Sequence, residues 1–212
     1  MKKYLKNLLL TLIGCFLFIN PSIASENYPQ VEIVTTSGTF TLELDRNRAP
    51  LSVENFLGYV EEGFYTDTIF HRVIEGFVIQ SGGYTTEFEM KETKPEIVNE
   101  SGNGLSNRRM TVGMARSNEP HTASSQFYIN LVDNVSLDPM PTRWGYTVFG
   151  EVISGFEVVT AIGQSATQTF QGLQDVPVAP IIILEAKKIG LLKLNLLKLI
   201  KILRRSLNLD QS

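Results

Sequence analysis

The chain has 212 residues, 43% of them hydrophobic and 19% charged, a globular composition with room for one ordinary domain and short appendages. Its net charge of −3 hides an uneven distribution: residues 25–189 carry eleven basic against twenty-one acidic side chains, whereas 190–212 carries five against one. A body this acidic lacks the basic surface that phosphate contacts require, so no nucleic-acid partner is expected.

At the N-terminus, Lys2, Lys3 and Lys6 precede an apolar run from Leu8 to Ile19 and a small-residue exit at Ser22-Ile23-Ala24. This is the layout of a secretory signal cleaved after Ala24, and the run is shorter than the roughly twenty residues a spanning helix needs. Leu12-Ile13-Gly14-Cys15 offers a second exit, resembling a lipoprotein signal with a lipidated Cys15, but the residues after it stay apolar, which ranks it behind the first. Either exit predicts a periplasmic or secreted protein. Cleavage after Ala24 removes Cys15, the one cysteine of the chain, and with it disulfide and thiol chemistry.

Residues 31–44, VEIVTTSGTFTLEL, alternate apolar and polar side chains about Ser37-Gly38, the pattern of a half-buried hairpin. The period then changes. Pro50 suits a first helical turn, Val53, Phe56, Leu57 and Val60 follow helical spacing, and Gly63 suits the residue just past a helix end. Short runs rich in β-branched and aromatic residues follow: TIFHRV, GFVIQ, MTVGMAR, QFYINLV, YTVFGEVI and PIIILEAKKI, interrupted by one further helix near Phe156 to Ile162. Many strands with two helices predict a mainly β antiparallel sandwich or closed barrel, and periodicity does not choose between them.

The tail, residues 190–212, reads as a basic amphipathic helix. Lys193, Lys198, Lys201, Arg204 and Arg205 fall on one arc, opposite Leu192, Leu196, Leu199, Ile200, Leu203 and Leu207. Such a face lies on an anionic membrane surface or packs on protein, and both bury the same leucines.

The inventory of reactive residues is sparse. Two histidines, His71 and His121, with no HExxH spacing exclude a histidine-based metal site, and no DxDxDG loop supports a carboxylate-only one. Ser124-Ser125-Gln126 lacks the glycines of a nucleophile elbow, and Gly102-Asn103-Gly104 lacks the context of a dinucleotide fingerprint. What remains is a set of fixed donors beside apolar walls. Such a site can bind, and it can catalyse a reaction whose transition state is reached by rotation.

Three stretches, FHRVIEGFVIQSGG (70–83), SSQFYINLVDNVSLD (124–138) and GYTVFGEVISGFEVV (145–159), together resemble the cyclophilin family of peptidyl-prolyl cis-trans isomerases, and within it the exported bacterial members. The likeness runs from about Val31 to Ile189. It implies a closed eight-stranded antiparallel β-barrel capped by two α-helices, over residues 25–189, between a signal peptide (1–24) and the tail. It implies Arg72 as the catalytic residue, with His71, Phe77, Val78, Gln80, Ala115, Arg116, Gln126, Tyr128, Trp144 and Tyr146 contacting substrate. It implies proline-containing polypeptide substrates, no cofactor and no metal, and a monomer. The chain departs from familiar members at Glu75, Val78, Arg116, Tyr128 and Tyr146, where those carry proline, methionine, asparagine, phenylalanine and histidine. A non-catalytic proline-peptide binder, a chaperone or adaptor at a membrane surface, would keep the same cup.

Overall fold

The computed structural model describes residues 26–190. The expected signal segment and nearly all of the basic tail lie outside the described residues. The chain forms β1 (Gln30–Thr35), β2 (Gly38–Leu44), α1 (Pro50–Glu61), β3 (Thr68–Ile69), β4 (Arg72–Ile74), β5 (Val78–Ser81), β6 (Thr111–Met114) and β7 (Phe127–Asn130), followed by β8 (Val148–Ser154), α2 (Phe156–Gly163), β9 (Thr167–Phe170), β10 (Leu173–Pro177) and β11 (Ile182–Lys188).

Nine strands make one antiparallel sheet in the order β3-β11-β1-β2-β8-β6-β7-β5-β4. Its two edges, β3 and β4, are successive stretches of one segment, separated only by Phe70 and His71. The sheet therefore curls until both ends reach the same bent piece of chain, and counting that piece as one strand gives the eight expected. Val31, Ile33, Phe40, Leu42 and Leu44 point inward from the first hairpin, as its alternation predicts.

Helix α1 packs its buried face into the core. Its Phe56 ring lies 5.1 Å from Tyr65, 5.4 Å from Phe127 and 5.3 Å from Phe149. Ala49 supplies no side-chain cap. The Glu100 carboxylate does so from a distance, accepting from the backbone N–H groups of Leu51 (3.0 Å) and Ser52 (2.8 Å), where a helix leaves donors free and favours negative charge. Gly63 follows the helix at φ 67°, the left-handed conformation that ends a helix without a Cβ penalty.

The ribbon β9–β10 stands apart from the main sheet and is not anticipated by the sequence. Every residue of β9 is exposed, so no alternation marks it. Its turn uses Gln171 at φ 48° and Gly172 at φ 82°, and Asp175 sits at φ 59° where the pairing register slips.

Candidate active site

Cross-strand register builds the site. Arg72 on β4 faces Gln80 on β5, Gln80 faces Tyr128 on β7, and Tyr128 faces Gly113 on β6. Residues in one such row share a face of the sheet. The adjacent row, Val73, Ile79, Ile129 and Val112, points into the core and is 0–1% exposed, which leaves the Arg72 row on the outer face. There Arg72, Phe77, Val78, Gln80, Ala115, Arg116, Tyr128, Leu137 and Tyr146 line a cavity of about 210 Å³. Glycine at 113 makes its depth possible: a Cβ there would lie 2.3 Å from the Cζ and Oη atoms of Tyr128.

The arginine fork is held on one side only. Arg72 Nη1 donates to Gln80 Oε1 at 3.3 Å, and Gln80 Nε2 donates onward to Gln126 Oε1 at 2.9 Å. Gln126 lies close over Gly83, where any Cβ would come within 2.5 Å of its amide. Asp175 Oδ2, from the ribbon, lies 3.9 Å from Arg72 Nε. The remaining guanidinium donors are free to reach a ligand in the cavity.

Tyr128 is fixed at the opposite wall. Its hydroxyl donates to Asn107 Oδ1 at 2.5 Å, and Asn107 is itself anchored by donating to Asp138 Oδ1 at 2.8 Å. Burial holds the Tyr128 hydroxyl well above the usual phenol range, and the neighbouring Tyr146 and Asp138 add to the effect. It stays protonated and is no nucleophile.

Of the residues singled out from the sequence, Arg72, Phe77, Val78, Gln80, Ala115, Arg116, Tyr128 and Tyr146 meet at this cavity, while His71, Gln126 and Trp144 do not line it. Gln126 reaches it through Gln80. Trp144 is 48% exposed and stands edge-on to His121 at 5.0 Å, beside a separate hollow formed with the 139–143 loop. Leu137, Asn107, Gly113, Gly83 and Asp175 were not anticipated in these roles. Gly113 carried a signal in MTVGMAR, a glycine inside a strand pattern, which marks close approach of another group. Asp175 carried none.

His71 turns to the buried side, 5% exposed, with its ring 4.7 Å from Tyr84. Burial lowers its pKa from 6.5 to about 4, and the positive charge of Arg72 adds to the shift. The unfolded chain protonates this imidazole below about pH 6.5 and the folded protein resists until about 4, so between those values unfolding takes up a proton. The neutral-His71 contribution is thus complete above pH 6.5 and is lost as pH falls. Urea unfolding at pH 7 and 4.5 is expected to show about 2–3 kcal/mol more acid destabilisation in the native sequence than in His71→Gln. An equal loss in both would place the acid sensitivity elsewhere.

Comparisons with known proteins agree with this geometry. The family described as cyclophilin type peptidyl-prolyl cis-trans isomerase/CLD matches residues 30–188. A peptidyl-prolyl cis-trans isomerase of Streptomyces antibioticus is 50% identical over 163 residues, covering 76% of this chain and 98% of that protein. Peptidyl-prolyl cis-trans isomerase A of Dickeya dadantii is 45% identical over 168 residues, covering 79% and 88%. Among solved structures, a Cryptosporidium parvum cyclophilin determined in the presence of the dipeptide Ala-Pro aligns with a TM-score of 0.64 at 27% identity, over 76% of this chain and 99% of that one. The chain belongs to the cyclophilin-type peptidyl-prolyl cis-trans isomerases, and the reaction it catalyses is rotation about X-Pro peptide bonds.

Proposed function

We propose that Arg72 is the catalytic residue of this isomerase and that its substrates are exported polypeptides. A peptide bond before proline resists rotation because resonance gives C–N partial double-bond character, with a barrier of about 18–20 kcal/mol. In the twisted state that resonance is lost, the prolyl nitrogen becomes pyramidal, and its lone pair becomes a hydrogen-bond acceptor. A donor aimed at that nitrogen therefore binds the twisted state more strongly than either planar end, and such differential binding is catalysis. Arginine suits the task because its rigid planar fork stays charged and can be aimed by its neighbours.

Phe77, Val78, Leu137 and Tyr128 hold the proline ring by apolar burial. With the ring fixed, the preceding residue takes up the rotation. Gln80 and Gln126 keep the guanidinium in register from behind, and Asp175 balances part of its charge from the ribbon. The observation that carries this reading is the shared register row, which sets Arg72 on the rim of a cavity walled in part by Phe77, Val78 and Leu137, with its fork only partly satisfied. The related cyclophilin determined in the presence of the dipeptide Ala-Pro supports the same substrate class. A protease-coupled assay on a proline tetrapeptide tests it: loss of the Arg72 guanidinium should lower the isomerisation rate, and equal rates with and without it would remove Arg72 from the catalysis.

The export reading rests on the N-terminal residues 1–24, and the tail at 190–212 extends it to a membrane face. Five basic side chains over an apolar stripe would each add about 1 kcal/mol of attraction near an anionic surface. The full chain is expected to float with vesicles containing anionic lipid and to lose that flotation in high salt. A chain ending at Ile189 is expected to stay in the soluble fraction. Equal flotation of the two would mean that the tail packs on protein.

A further inference from the structure

We propose that Arg116 makes this pocket selective for X-Pro segments that carry a carboxylate side chain, aspartate or glutamate, next to the proline. The inference rests on the isomerase reading of the cavity and adds to it a preference in substrate charge. Arg116 lines the cavity together with Arg72. Its Nη1 is directed at the carbonyls of Ser117 (2.9 Å) and Asn118 (3.2 Å), its Nη2 at those of Trp144 (3.2 Å) and Gly145 (3.4 Å), and its Nε also at Gly145 (3.4 Å). The guanidinium lies over the Tyr146 ring, 4.3 Å from its centroid.

A guanidinium has five N–H donors, and all five are directed at backbone carbonyls, so the fork is committed to holding two loops together. Carbonyls satisfy donors without cancelling charge. No carboxylate lies within ion-pair distance of Arg116 among the described residues. The charges nearest the cavity are otherwise occupied: Asp175 stands beside Arg72, and Asp138 accepts from Asn107 and Ser106 behind Tyr128. Glu119, on the turn that follows Arg116, is exposed and makes no ion pair with it. The pocket wall thus presents a fixed, uncompensated positive charge on a body that is acidic as a whole.

A charge presented without free donors selects by sign and not by bidentate shape, so aspartate and glutamate should be favoured alike and lysine disfavoured. The test uses a tetrapeptide series with glutamate, alanine or lysine immediately before proline, measured as kcat/KM and, by calorimetry, as Kd. At low salt the native sequence is expected to favour glutamate over lysine by about tenfold, and the ratio should shrink as salt is raised. Arg116→Lys should keep most of the preference, whereas Arg116→Gln should bring the ratio near one.

Equal handling of glutamate and lysine peptides by the native sequence would overturn the proposal, as would a preference that persists in Arg116→Gln. The salt dependence of the native sequence shows whether the preference is one of charge, and its loss in Arg116→Gln but not in Arg116→Lys assigns that charge to Arg116 and not to Arg72. Failure of the isomerase reading looks different, since the alanine peptide would then bind without being turned over, and the Kd series would still report the charge preference.

Discussion

Replacing Arg72 by alanine is expected to lower kcat/KM by about a hundredfold, and by no less than tenfold, while the fold stays intact. A preorganised donor aimed at developing electron density contributes roughly 3 kcal/mol to a transition state, which at about 1.4 kcal/mol per factor of ten is a little over a hundredfold. Stability should change little. The side chain is 40% exposed, its partner Asp175 is equally exposed at 3.9 Å, and pairs of that kind contribute about 1 kcal/mol or less. Arg72→Lys should fall between the two, because an ammonium supplies charge without the planar fork that Gln80 aligns. Unchanged turnover in Arg72→Ala would place the catalysis on other residues of the cavity.

The second large effect is expected at Gly113, which touches no substrate. Its backbone φ is not in the left-handed region, so alanine meets no conformational penalty there, and the cost is steric. The added Cβ would lie 2.3 Å from Tyr128 Cζ and Oη, closer than non-bonded atoms come, and Tyr128 cannot easily retreat. Its hydroxyl is held by Asn107 at 2.5 Å and its ring meets Tyr146 edge-on at 6.1 Å. Gly113→Ala is therefore expected to cost about 1–3 kcal/mol of stability through overpacking and to reduce kcat/KM at least tenfold by shifting the pocket wall. Adding Tyr128→Phe removes one of the two clashing atoms, the hydroxyl oxygen, and should recover part of both losses. Measured Tm and kcat/KM for the two single variants and the double variant give the coupling directly. Strictly additive losses would mean that the two residues do not share this contact.

Much of the fold was legible because its signals are local. The alternation of 31–44, the change of period at Pro50 and the glycine at 63 each act within a few residues, and each reports a half-buried strand, a helix or its end. The ribbon β9–β10 was not legible, because Thr167–Phe170 is exposed throughout and Gln171 in its turn and Asp175 at its register slip take a conformation usually left to glycine.

The site shows the same division. Arg72 and Gln80 stand eight residues apart in one hairpin, within reach of motif reading. The contact of Gly113 with Tyr128 depends on pairing between strands, and Asp175 reaches Arg72 from more than a hundred residues downstream. Arg116 was visible as a departure from the family pattern, but its commitment to four carbonyls depends on the 144–145 backbone folding back against it. Trp144, which the family pattern drew toward the pocket, stands instead against His121 because the 139–143 loop carries it away from the cavity.

The central claim is that the Arg72 fork grips the imide more strongly when twisted than when planar. NMR exchange measurements on a proline peptide, comparing the native sequence with Arg72→Ala, separate binding from rotation in one experiment. The account predicts a Kd within about threefold of the native value together with exchange of the bound peptide slowed by about a hundredfold. Affinity and exchange rate falling in parallel, or exchange continuing at the native rate, would contradict it.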